Sequence, residues 1–214
     1  MSYINDSIMQ IKAAGSILAI VYALLLALLV SVGIISAQFD ITVDMFTRDP
    51  AALFDASPFI GVLSNIGILF WCSTVAICFF AVAFQLKNGN KIAAKFLIFS
   101  GLLTALLLFD DLFMFHETVF PEILHVPEKL VYVVYLVLIL MYFIKFRESL
   151  LQTEYIILLT ACMFLGLSMV SDVVLPQEGI EFLIEDGFKL FGIVTWFIYF
   201  TRTCFAYTYK IFTD

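Results

Sequence analysis

Charge is what this sequence has least of. Asp, Glu, Lys and Arg together make up 14% of it, and 63% is hydrophobic. Soluble domains carry about a quarter charged residues and roughly half apolar ones. A water-soluble fold of 214 residues has too little interior to hide that much apolar surface, so lipid is the expected solvent. Basic residues are scarcer still, 11 against 18 acidic ones, which leaves no cationic footprint for nucleic acid. There are two histidines, His116 and His125, and four cysteines, Cys72, Cys78, Cys162 and Cys204. No two cysteines stand at CxxC spacing and all lie in apolar runs, so they read as buried, inert thiols. No internal repeat, low-complexity tract or soluble domain is visible. Any activity therefore belongs to the apolar segments or the short loops between them.

A membrane helix takes about 20 mostly apolar residues. Six stretches meet that requirement, at about 13–38, 58–86, 92–118, 127–146, 154–175 and 181–203. The run from Ala13 to Phe39 is too long for a secretory leader, whose apolar core is about 7–15 residues, so it reads as an uncleaved first span. Ser57-Pro58 predicts a capped start for the second span, and Lys87-Asn88-Gly89-Asn90-Lys91 a tight turn after it. Pro121 and Pro176 are expected to end the third and fifth spans, Pro127 to start the fourth, and Thr153 to cap the fifth. In segment 39–57, Asp40, Asp44, Arg48, Asp49 and Asp55 alternate with Phe39, Met45, Phe46, Leu53 and Phe54. That pattern predicts an outer interfacial loop or short amphipathic helix lying on the membrane. The fold class expected is all-α, a polytopic bundle of six transmembrane helices forming one domain over 1–214.

Orientation follows from basic residues, which stay in the cytoplasm. With the N-terminus inside, Lys12, Lys87, Lys91, Lys95, Lys145, Arg147, Arg202 and Lys210 fall inside, and Arg48, Lys129 and Lys189 outside. Both termini are then cytoplasmic, and the chain is a multi-pass protein of the cell membrane (the inner membrane in a Gram-negative source). The acids divide the other way: only Asp6, Glu148, Glu154 and Asp214 of the 18 are inside. Acidic residues contribute little to topology, so this asymmetry needs its own cause.

Depth supplies one. At 1.5 Å per residue, Asp110 lies roughly 22 Å above Lys95, and Asp186 about 24 Å above Arg202. Asp172 and Glu128 reach similar heights on the fifth and fourth spans. The apolar core is about 30 Å thick, so four helices put charge into its outer third. Asp110 and Glu117, seven apart, are expected to share a helix face, with Asp111 and His116 roughly 100° and 120° away. Glu185 and Asp186 stand four and three residues before Lys189, where either can pair with it. Ser64 and Asn65 are expected near the same layer. Asp110, Asp111, Glu128, Asp172, Glu185 and Asp186 outnumber Lys129 and Lys189 by four. Carboxylates in low dielectric take a proton, find a cation or open to water. Tyr132, Tyr135, Tyr142, Trp71 and Trp196 read as packing or interface anchors.

The function these residues suggest is an outward-facing acidic intramembrane site that binds a cation. One form is a divalent metal, Zn²⁺ or similar, held by Asp110, Asp111, His116, Glu117, Asp172, Glu185 and Asp186. Its bound water would hydrolyse an outer-leaflet lipid, with Asp110, Asp111, Glu117 and Lys189 as the catalytic groups. The helical HExxH signature is absent, since Phe120 stands where its second histidine would be. The alternatives are a proton or cation transporter or channel, and a non-catalytic membrane subunit or sensor. Against transport, Ser100 and Thr104 are the only polar side chains from Phe96 to Phe109. The partners expected are membrane lipid, a further copy of the chain, or other subunits of a membrane complex.

Overall fold

The computed structural model describes residues 2–174 and 180–213, with side chains placed for 15, 17–174 and 182–211. Pro176, Glu178 and Asp214, and the side chains of Asp6, Lys12 and Glu181, lie outside what is described. Among the described residues the chain is helical, without strands. It divides into two compact units, residues 1–60 and 61–214.

The first unit is the helix α1 (Ser2–Phe39) and the segment after it. Apolar residues surround α1 on all sides and its side chains from Ile17 onward are largely exposed, as befits a helix solvated by lipid. Ser36 closes it: its carbonyl accepts from the Ile41 amide (3.1 Å) and its hydroxyl donates to the Ile41 carbonyl (2.6 Å). Asp40 takes the left-handed conformation (φ 55°) that short polar side chains tolerate. Two single-turn helices follow, α2 (Asp44–Thr47) and α3 (Pro50–Leu53). Phe39, Met45, Phe46 and Phe54 remain exposed along this segment.

The second unit contains α4 (Val62–Lys87), α5 (Lys91–Phe113), a π-helix (Phe115–Ile123), α6 (Glu128–Lys145), α7 (Arg147–Leu151), α8 (Tyr155–Val174) and α9 (Ile180–Thr213). α4 packs against α5 and α9, and α9 against α8. Small residues let these backbones approach, which is how helices associate where lipid removes the hydrophobic drive. A Cβ on Gly192 would lie 2.7 Å from Leu165 Cγ and 3.0 Å from the Leu165 backbone nitrogen; one on Gly101 would meet Phe79 at 3.2 Å. Between these crossings Phe96, Leu97, Leu158, Trp196, Tyr199 and Phe200 are buried completely. The ring of Trp71 meets that of Trp196 edge-on at 5.8 Å, bridging α4 and α9. α6 joins through its aromatic face: Tyr142 stacks on Phe96, and its hydroxyl lies 2.7 Å from that of Ser100.

Five helical segments among the described residues are long and apolar enough to cross a membrane: Ile17–Phe39, Val62–Lys87, Lys91–Phe113, Tyr155–Val174 and Phe182–Ile211. α6, with 18 residues and Glu128, Lys129 and Lys145 at its ends, is about 27 Å long. In the second unit most basic residues gather at one end, Lys129 and Lys189 excepted. Lys87 closes α4, Lys91 and Lys95 open α5, Lys145 closes α6 and Arg147 opens α7. Lys145 lies over the Phe99 ring at 3.8 Å, and Arg202 is bonded to Glu154 through two nitrogens.

Several boundaries differ from expectation. The second helix begins at Val62, after the left-handed Gly61, and not at Pro58. Ser57 instead stabilises a turn, its hydroxyl oxygen accepting from the Phe59 amide at 3.3 Å. α5 stops at Phe113, five residues before the expected end, because Met114 turns left-handed (φ 50°) and its amide closes on the Asp110 carbonyl. Pro121 does not end a helix: it sits inside the π-helix that follows. α9 continues through the aromatic tail to Thr213. Of the cysteines, Cys78 and Cys204 are buried and Cys162 partly so, but Cys72 is exposed.

Candidate functional site

The break at Met114 builds the centre of the acidic end. It folds the chain back so that the His116 amide donates to Asp110 Oδ1 (3.1 Å), while His116 Nδ1 lies 2.6 Å from Asp110 Oδ2. Tyr135 on α6 donates its hydroxyl to Asp110 Oδ1 at 2.6 Å. Asp110 is 6% exposed, and both its oxygens are engaged. Asp110 therefore pairs with His116 and not with Glu117 on a shared face: the face predicted for an unbroken helix ends four residues after Asp110. Glu117 is reached through the imidazole, whose Nε2 lies 3.3 Å from Glu117 Oε1.

His116 and Glu117 lie beyond the end of the α5 span. Burial draws the imidazole toward its neutral form, but the hydrogen bonds and charges of Asp110 and Glu117 outweigh it and push the pKa up to about 9. Glu117 is held below the usual range by its hydrogen bond to His116. The imidazole thus bridges the carboxylates of Asp110 and Glu117.

Asp111, about 100° around α5 from Asp110, faces α9. Its Oδ1 pairs with Lys189 Nζ across the helix contact, and its side chain is 6% exposed. Its Oδ2 is buried and accepts no hydrogen bond from the protein. Lys189 thus reaches a different helix, with Glu185 and Asp186 about one turn before it on its own. Beside the His116 ring, the Tyr132 hydroxyl lies 3.0 Å from Glu128 Oε1 on α6 and 3.1 Å from Asp172 Oδ2 on α8.

All eight residues singled out from the sequence line one cavity of about 710 Å³. One end holds Asp110, Asp111, His116, Glu117, Asp172, Glu185, Asp186 and Lys189. The remaining wall is mainly apolar, from Trp71, Leu107, Leu136, Ile139, Leu165 and Trp196, with Cys162 among them. Six carboxylates face two basic side chains, a surplus of four. Ser64 borders a separate small void beside Asp111, Asp186 and Lys189, while Lys129 and His125 are exposed. Among the described residues, no group of three or more His, Cys, Asp or Glu side chains is placed to hold a metal ion. The oxygens of Asp110 are taken by His116 and Tyr135, and one oxygen of Asp111 by Lys189.

Tyr132 and Tyr135 are the residues that sequence reasoning misses, having read them only as anchors. A signal existed: Glu128 and Tyr132 stand four apart, as side chains that meet on a helix do, and Tyr135 lies one turn further on. Trp196 packs as expected and also donates its indole N–H to Thr104 at 3.1 Å.

No curated protein and no solved structure matches this chain. Residues 17–203 match the family model described as Domain of unknown function (DUF8692), and the chain belongs to that family.

Proposed function

We propose that this membrane protein binds the cationic head of a single-chain amphiphile in its acidic cavity, admitting it from the outer leaflet. The observation that carries the reading is the division of the cavity: carboxylates at one end, apolar wall elsewhere. A long-chain cation has the same division. Its size agrees as well. A cavity of about 710 Å³ lies within the about 300–1,000 Å³ usual for small-ligand sites, room for an alkyl chain and a small head. The excess of carboxylates selects a positive head. The distribution of Lys and Arg supports an outward-facing acidic end in a cell membrane, with α6 as the sixth crossing and both termini cytoplasmic.

Transport through the monomer has less support. Below Asp110, α5 presents Leu108, Leu107 and Leu106 before Thr104, whose hydroxyl accepts from Trp196 and donates to the Ser100 carbonyl.

One observation favours a metal as a second reading. His116 has its Nδ1 fixed by Asp110 and its Nε2 beside Glu117, and a carboxylate behind the ring is the usual support of a metal-bound imidazole. A divalent ion there would polarise the ester of an outer-leaflet lipid for hydrolysis.

Native mass spectrometry from nanodiscs containing either dodecylammonium or dodecyl sulfate tests the first reading. One ammonium adduct per chain, absent for the sulfate and lost in Asp172→Asn, is the expected result. Equal adducts for both would overturn it. Stoichiometric zinc on the purified protein, lost in His116→Gln, would establish the metal reading.

A further inference from the structure

The basic end of the second unit has a cavity of its own, about 420 Å³, where the start of α5 meets α7 and the end of α6. It shares no lining residue with the acidic cavity, and its Lys95 stands about 22 Å along α5 from Asp110. Lys91, Lys95, Lys145 and Arg147 line it, with Glu148 as the single acid. Glu148 does little to offset the four cations. It approaches Arg147 at 3.9 Å, and both side chains are exposed. Lys145 leans over the Phe99 ring. Lys91 and Lys95 have no carboxylate partner among the described residues.

The placement of those two lysines is unfavourable for α5 alone. They are four apart on one helix face, where like charges repel. Lys91 opens the helix and Lys95 stands one turn on, at the end whose dipole and free amides disfavour a cation and attract an anion. The mouth of the cavity is apolar. Ile92 and Ile144 line it and are 78% and 73% exposed, as side chains that meet lipid are. We infer that this cavity holds the phosphate of an anionic glycerophospholipid, with the acyl chains lying against Ile92 and Ile144. Basic pockets between membrane helices take such heads. A free phosphate would engage the lysines and leave the two isoleucines without a role. With the basic end inward, as proposed above, the lipid comes from the cytoplasmic leaflet. The inference is independent of the amphiphile reading, since it concerns another cavity and a ligand of opposite charge.

Native mass spectrometry of the full chain in detergent, titrated with dioleoylphosphatidylglycerol or dioleoylphosphatidylcholine, tests it. One phosphatidylglycerol per chain should bind with an apparent Kd at least ~10-fold below that of phosphatidylcholine, because each basic residue near an anionic lipid contributes a factor of about five. Lys95→Gln should weaken phosphatidylglycerol by ~5-fold, and Lys91→Gln added to it should weaken it further. Lys87→Gln removes a charge from the same end of the unit but not from the cavity, and should change nothing. All three lysines are exposed, so the variants keep the fold. Equal affinity for the two lipids overturns the inference. So does an equal loss in Lys87→Gln and Lys95→Gln, which would mean attraction by the whole basic end and no defined site. Displacement of the lipid by glycerol 3-phosphate at equal concentration would make a soluble anion the occupant and overturn the lipid.

Discussion

Removing the charge of Lys189 isolates the physics of the acidic end. Lys189→Met keeps an unbranched stem of the same length as the lysine's alkyl part and strips the ammonium from Asp111, whose side chain is 6% exposed and whose Oδ2 already lacks a donor. Breaking a buried pair from one side costs about 3–5 kcal/mol, because the partner is left charged in low dielectric. Lys189 keeps 29% of its exposure, so the lower end applies, about 3 kcal/mol. The double variant Lys189→Met, Asp111→Leu removes both charges and should recover most of that loss, since an apolar pair of similar volume is often neutral or better. Reversible unfolding in mixed micelles, followed by far-UV circular dichroism, gives the four corners of the cycle. A coupling energy of about 2–3 kcal/mol between the sites is expected. If Lys189→Met alone lies within ~0.5 kcal/mol of wild type, a shift usual for exposed sites, the pair is solvated and the low-dielectric reasoning fails.

Three further outcomes follow from the geometry. Tyr135→Phe removes the hydroxyl that donates to Asp110 at 2.6 Å and should cost about 1.5–3 kcal/mol, the worth of a hydrogen bond to a charged group, measured by the same unfolding assay. Gly192→Ala drives a Cβ against Leu165 Cγ and its backbone and should destabilise by about 1–3 kcal/mol; Gly166→Ala, with nothing within 4 Å, is the control that should not. His116 is raised from 6.5 to about 9 in the folded protein. Its contribution to stability is therefore complete below pH 6.5 and lost as pH rises through about 9. The melting temperature should fall over that interval, and His116→Gln should flatten the fall.

The apolar runs made most of the helices legible, because a span announces itself by length and composition. α6 and α8 fall within a residue or so of the expected limits. The break at Met114 did not announce itself. Pro121 is the obvious stop by composition, but the chain turns earlier, where Asp110 accepts both the Met114 amide through its carbonyl and the His116 amide through its side chain. Nothing in Phe-Met-Phe-His marks that reversal, and a helix of wider pitch has no compositional signature that Pro121 would contradict. Charge depth brought the eight cavity residues to one level, yet level is not partnership. Lys189 was matched to acids on its own helix because helical spacing is readable along a sequence. Its partner Asp111 lies on a neighbour that only packing selects. The roles of Tyr132 and Tyr135 were hidden for the same reason, since each joins α6 to a carboxylate on another helix.

The occupancy of the cavity has a direct chemical readout in two native thiols. Cys162 lines it, while Cys72 is exposed on α4 and does not, so the ratio of their alkylation separates entry into the cavity from simple partition into lipid. The reagents are two dodecyl chains tipped with bromoacetamide, one headed by an ammonium and one by a sulfate, added to the full chain in nanodiscs and quantified by peptide mapping. A Cys162 to Cys72 ratio at least ~10-fold higher for the ammonium chain, equivalent to about 1.4 kcal/mol, is the predicted result. The same ratio for both heads would contradict a cavity that selects a positive amphiphile.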